Sequence, residues 1–127
     1  MIRSRSSTDP EKVRAFAIEV ARHLHDRKFE DVRVLDVRGA SPVCDYVVLG
    51  SGTSSRQMKS TATEIEKIGK AQGFGSLGES RDPSISWVVV DFVDVVAHLF
   101  EPNQRAYYDL EQLWQGAPSV PWRRGTA

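Results

Sequence analysis

The chain is poor in cysteine: Cys44 is the only one among 127 residues. A single thiol closes no intrachain disulfide and builds no cysteine-based zinc site, which is the pattern of a reducing, cytoplasmic compartment. Excess charge is missing too, since 17 Lys and Arg stand against 17 Asp and Glu. Holding a polyanion by electrostatics needs a cationic surplus, so the balance argues against general nucleic-acid binding and leaves little direct nucleic-acid contact to expect. No apolar run approaches the roughly 18 residues of a membrane span, and Met1-Ile2-Arg3-Ser4-Arg5 has no apolar stretch behind its charges; no membrane partner is expected. The length leaves no space for separate cofactor and substrate domains, and one domain is expected.

What is present suffices for a core. Val, Leu, Ile and Phe make up 32 of the 127 residues, above the level at which a chain fails to bury enough apolar surface to fold. The charges are also unevenly spread: residues 1–75 sum to +3 and residues 76–127 to −3. An acidic second half suits a basic partner.

Asp9 followed by Pro10 is helix-start chemistry, and Val13, Phe16, Ala17, Val20, Ala21 and Leu24 then form one helical stripe that ends near Arg27. Val32–Val37 and Asp45–Leu49 read as neighbouring strands, the second apolar throughout and so covered on both faces. Ser54 and Gln57 have capping-box spacing ahead of a helix through Met58, Thr61, Ala62, Ile65, Ile68 and Gly69, closed by Gly73. Residues 74–84 read as a loop or a frayed edge strand. Trp87–Phe92 and Val95–Phe100 are two more strands, bent at Val93-Asp94, and Pro102-Asn103 opens a last helix with Tyr107, Leu110 and Trp114 on its stripe. The expected fold is therefore α/β, a four- to five-stranded mixed sheet flanked by helices. Residues 1–8 read as a flexible arm, 9–116 as the domain and 117–127 as a C-terminal tail without periodicity.

Candidate chemistry is sparse. The strand, Gly50-Ser51-Gly52 and helix arrangement aims backbone N–H groups at one spot, as a phosphate cradle does and as an ordinary helix entry also does. It lacks the third small residue and the distant acid of a dinucleotide site. A metal-dependent nucleotidyl transferase is the alternative reading, with Gly52-Thr53-Ser54 before the helix and Asp91 and Asp94 converging on Mg²⁺; side chains three apart on a regular strand point to opposite faces, which opposes it. His23 and His25 lie about 200° apart around a helix, too far to chelate one metal, and read as solvated. His98 alternates with Leu99 as a core histidine would, and Cys44 beside Asp45 is a poor nucleophile that reads as strand filler. No metal or cofactor is implied. The dense cluster is Trp87, Phe92, His98, Phe100, Arg105, Tyr107, Tyr108, Asp109, Glu111 and Trp114. Tyr, Trp and Arg dominate interface energetics and acidic neighbours select a basic partner, so this cluster reads as a docking surface.

Four ordered motifs resemble the ribosomal silencing factor family, also called the Iojap-like family. They are Asp45-Tyr46-Val47-Val48; Gly52-x-Ser54-x-Arg56-Gln57; Trp87-x3-Asp91-Phe92-x-Asp94-x3-His98-x-Phe100; and Arg105-x-Tyr107-Tyr108-x-Leu110-Glu111-x-Leu113-Trp114. The likeness runs from about Val13 to Trp114. The family usually carries Glu-Gly ahead of the tryptophan and Asp-Tyr-Gly-Asp after it, where this chain has Glu79-Ser80 and Asp91-Phe92-Val93-Asp94. The resemblance implies a nucleotidyltransferase-like fold without known enzymatic activity, often a homodimer. It also implies a factor that binds the large ribosomal subunit through ribosomal protein L-fourteen, blocks small-subunit joining and slows translation when nutrients are scarce. On that analogy Trp87, His98, Arg105, Tyr108, Asp109 and Glu111 lie on or beside the partner surface.

Overall fold

The computed structural model describes residues 9–39, 44–76, 78–82, 87–101 and 116–124. Helix α1, Pro10–Asp26, begins where the sequence places its cap: the Asp9 carboxylate accepts from the Glu11 N–H at 2.9 Å, with Pro10 in the first turn, where its missing N–H costs nothing. The buried positions of α1 are the six of the predicted stripe. Helix α2, Ser55–Ala71, starts at Ser54, whose hydroxyl accepts from Gln57 N–H, and buries Met58, Thr61, Ala62, Ile65 and Gly69, with Ile68 half-covered. Beyond it the chain turns at Gly73 with φ of +86°, a conformation that glycine reaches without steric cost.

Five strands form one mixed sheet in the order β1-β2-β5-β4-β3: β1 Glu30–Asp36, β2 Tyr46–Ser51, β3 Gly78–Asp82, β4 Trp87–Asp91 and β5 Val95–Phe100. Only β2 and β5 run parallel; every other neighbouring pair is antiparallel. β2 lies inside the sheet with all six residues buried, as its unbroken apolar run requires. The open choice over residues 74–84 resolves into the edge strand β3, paired with β4 from Gly78 opposite Asp91 to Asp82 opposite Trp87.

Both helices pack on one face of the sheet. Phe16 stacks on Phe74 with ring centroids 4.4 Å apart and meets Phe92 edge-on at 5.0 Å, tying α1, the α2 exit and the end of β4 into one core. Gly69 makes this possible, because a Cβ there would lie 2.6 Å from the Phe74 carbonyl oxygen and 2.8 Å from the Phe92 ring. On the opposite face Leu35, Val37, Cys44, Val47, Leu49 and Phe100 form a second cluster, with Trp87, Val96 and Ala117 against it.

Two local expectations are revised. His23 is not solvated: α1 and α2 share a face of the sheet, which brings Glu64 across so that His23 Nε2 sits 2.8 Å from its Oε1, joined by Arg27 Nε at 2.8 Å. Burial opposes ionisation of Glu64, yet the hydrogen bonds from His23 and Arg27 leave its carboxyl below the ordinary value. The segment after Gly116, aperiodic in sequence, is held against β1 and α1 by individual contacts. Asp36 N–H donates to the Pro118 carbonyl and Val120 N–H to the Val34 carbonyl, along the outer edge of β1. Val120 and Trp122 are buried in the main core, with the Trp122 indole N–H donating to the Val32 carbonyl at 3.2 Å. This covers part of an edge strand that otherwise presents unpaired backbone groups. The helix expected from Pro102, with Arg105, Tyr108, Asp109 and Glu111, lies outside the described residues.

Candidate docking face

The geometry of the site follows from one hairpin. β4 and β5 pair with Trp87 opposite Phe100, Val89 opposite His98 and Asp91 opposite Val96. Side chains alternate along a strand and directly opposed residues share a face, so Trp87, Val89, Asp91, Val96, His98 and Phe100 all project away from the helices. Phe100 is buried, whereas the other five are partly exposed. The Trp87 and His98 rings lie 6.0 Å apart at 41°, and Trp87 meets Phe100 edge-on at 6.3 Å. Over β1 and β2 the same face buries Leu35, Val47 and Leu49 and exposes Arg33, so among the described strand residues the partly accessible apolar side chains of this face lie on β4 and β5.

The hairpin turn sets this register. Phe92 N–H donates to the Val95 carbonyl, and the Asp91 carboxylate accepts from Val93 N–H at 2.7 Å. Val93 sits at φ of +75°, costly for a β-branched residue. The turn also anchors β2, since the Asp94 carbonyl accepts from both Asp45 and Tyr46 N–H.

Burial pushes the His98 imidazole down from 6.5 to about 4, against the pull of the Asp91 charge. The ring is therefore neutral near pH 7 and behaves as a flat, weakly polar contact group on this face rather than a cation. Trp87 and His98, both expected on the partner surface, are thus brought together. Val89 and Val96, to which the sequence reading assigns no role, complete the face together with Asp91, weighed there as a Mg²⁺ ligand; folding two alternating strands about Val93-Asp94 pairs Val89 with His98 and Asp91 with Val96.

The other candidate sites are taken up by their own surroundings. At the α2 entry, Gly52 N–H donates to the Phe100 carbonyl, Thr53 N–H to Gln57 Oε1 and Gln57 N–H to Ser54 Oγ, so the would-be phosphate cradle is an ordinary helix entry. Asp91 is engaged by its turn, and the described residues contain no group of three or more His, Cys, Asp or Glu able to hold a metal ion. Cys44 is buried in the second cluster. No helix among the described residues is long and apolar enough to cross a membrane.

Among the described residues, a single mixed sheet with helices on one side and a strip of Trp87, Val89, Asp91, Val96 and His98 on the other makes a small α/β domain with one candidate docking face. The profile of the family described as "Ribosomal silencing factor during starvation" matches residues 10–126. Among curated relatives, the ribosomal silencing factor of Halalkalibacterium halodurans is 37% identical over 97 residues, covering 76% of this chain and 83% of its own. That of Bacillus subtilis is 38% identical over 93 residues, covering 73% and 79%. A crystal structure from Chromobacterium violaceum superposes with a TM-score of 0.73 at 31% identity, covering 94% of this chain and 97% of the other. The chain belongs to the ribosomal silencing factor family.

Proposed function

We propose that this protein associates with the ribosome and silences it by occupying space: docked on the large subunit through ribosomal protein L-fourteen, it overlaps the volume the small subunit needs. Family membership supports the ribosomal role, and the partly exposed Trp87–His98 strip carries the docking reading. Steric exclusion asks for a rigid shape and a few well-packed anchor residues, and it lowers no chemical barrier. The five-stranded sheet supplies the rigidity, and a pre-positioned indole beside a neutral imidazole supplies anchors that lose little side-chain freedom on binding. Arg105, Tyr108, Asp109 and Glu111 belong to the partner surface in the proposal, the acidic members suiting a basic partner and raising the rate of encounter. A homodimer and a cytoplasmic location belong to the same proposal.

Purified L-fourteen immobilised on a sensor surface tests the docking. The wild-type chain binds; Trp87→Ala and Tyr108→Ala bind at least tenfold more weakly while retaining wild-type circular dichroism. Equal binding by all three chains, or none by the wild type, removes the reading.

A further inference from the structure

The outer face of α2 carries a charge pattern that the docking face does not use. Arg56, Lys59, Lys67 and Lys70 are all exposed, and among the described residues none of the four makes a hydrogen bond or an ion pair. At 3.6 residues per turn they fall, with exposed Thr63, in a sector about 80° wide, centred about 140° from the buried line of Met58, Thr61, Ala62, Ile65 and Gly69. From Arg56 to Lys70 the stripe rises about 21 Å. We infer that this stripe binds the phosphate backbone of a ribosomal RNA helix, an inference that rests on the ribosomal association proposed above.

The formal neutrality of the chain hides the stripe, because charges more than about 10 Å apart are largely screened at 0.1 M salt. The local balance decides what the stripe attracts. Both carboxylates of α2 are drawn aside: Glu64 accepts from His23 and Arg27 on the flank facing α1, and Glu66 accepts from the Ser76 hydroxyl at 3.3 Å. Glu19 of α1 meets this helix beyond its end, at Gln72. Four cations therefore stand together with one carboxylate, Glu66, at their margin.

Folding sets these cations against one another. Arg56 with Lys59, and Lys67 with Lys70, are like charges three apart on one helix face, an arrangement that weakens a helix. Arg56 also stands in the first turn, which has no acidic residue and where the positive end of the macrodipole opposes a cation. An anion laid along the stripe relieves all three repulsions at once. An RNA strand supplies negative charge at regular intervals over the whole length, and lysine and arginine meet phosphates without reading sequence. The stripe points away from the sheet on the side opposite the Trp87–His98 strip, so a protein anchor and an RNA anchor can be engaged together.

The probe is a fluorescein-labelled RNA duplex of about 20 base pairs and arbitrary sequence, titrated with the full chain and read by anisotropy. Four phosphate contacts predict a slope of about −3.6 in log affinity against log salt, roughly a hundredfold loss between about 50 and 200 mM. The double substitution Lys59→Gln with Lys67→Gln, at exposed positions without partners, should weaken binding at least tenfold at the lower salt, halve the slope and leave the melting temperature unreduced. Lys59→Arg with Lys67→Arg should bind like wild type, as should Trp87→Ala, which separates the stripe from the docking face. On isolated large subunits the glutamine pair should bind more weakly and with less salt dependence while holding immobilised L-fourteen as wild type does. Loss of L-fourteen binding by wild type with the RNA results intact removes the docking reading and leaves the stripe. No binding to the duplex at the lower salt, a slope near zero, or undiminished binding by the glutamine pair overturns the inference. So does a polyglutamate of matched charge that binds more tightly than the duplex, which would assign the stripe to an acidic protein.

Discussion

Acidification should destabilise this fold through one residue. His98 is mostly buried and its imidazole is held near 4 rather than 6.5. Above about pH 6.5 the ring is neutral in both folded and unfolded chains, and pH changes nothing through it. Below that value the unfolded chain takes up a proton that the folded chain refuses, so stability falls until the folded ring also protonates near 4. Weighing the two titrations gives a loss of about 2 kcal/mol at pH 5, growing to about 3 kcal/mol below pH 4. Asp26, Asp36 and Glu64, whose carboxyls are held below their ordinary values, act in the same direction but in a lower pH window: their stabilisation is present above the unfolded carboxyl value and is lost only as pH falls below about 4.5. Between pH 7 and 5 the histidine therefore acts largely alone. Urea denaturation of wild type and His98→Gln across this range isolates it, because a glutamine does not titrate. The wild-type free energy should fall by about 2 kcal/mol more than that of the variant between pH 7 and 5. Parallel curves would refute the burial argument and with it the neutral imidazole on the docking face.

Further predictions rest on packing and backbone geometry. Val93→Gly should raise stability by about 1 kcal/mol, since glycine occupies φ of +75° without the strain a β-branched residue carries there; an unchanged or lower denaturation midpoint contradicts this. Gly69→Ala should lose about 1 to 3 kcal/mol, because the added methyl meets the Phe74 carbonyl and the Phe92 ring, and calorimetry measures the drop. Trp122→Ala should lose about 3 to 5 kcal/mol by emptying a buried indole site, which a truly detached tail would not show.

Much of the architecture is legible in the sequence because it is local. The α1 stripe, the Ser54 and Gln57 cap and the unbroken apolar run of β2 each announce an element through spacing alone, and the structure places all three as expected. The bend at Val93-Asp94 even contains the register that joins Trp87, Val89 and His98 on one face. What stays hidden depends on contacts distant in the chain. His23 gains its partner from Glu64, 41 residues away, and Trp122 is placed by Val32, 90 residues away. β3 carries no apolar alternation, since Gly78–Asp82 reads Gly-Glu-Ser-Arg-Asp, and only its pairing with β4 makes it a strand. The candidate site divides the same way: Trp87 and His98 are legible as residue types, while their companionship with Val96 and Asp91 needs the sheet.

Subunit joining measures the proposed exclusion by bulk directly. Isolated large and small ribosomal subunits are mixed with a molar excess of the chain under association conditions and resolved on a sucrose gradient. Joined ribosomes should diminish in proportion to added protein, with the chain migrating alongside free large subunits, and Trp87→Ala should leave joining intact. Undiminished joining while the chain rides on the large subunit, or its appearance within joined ribosomes, would contradict it.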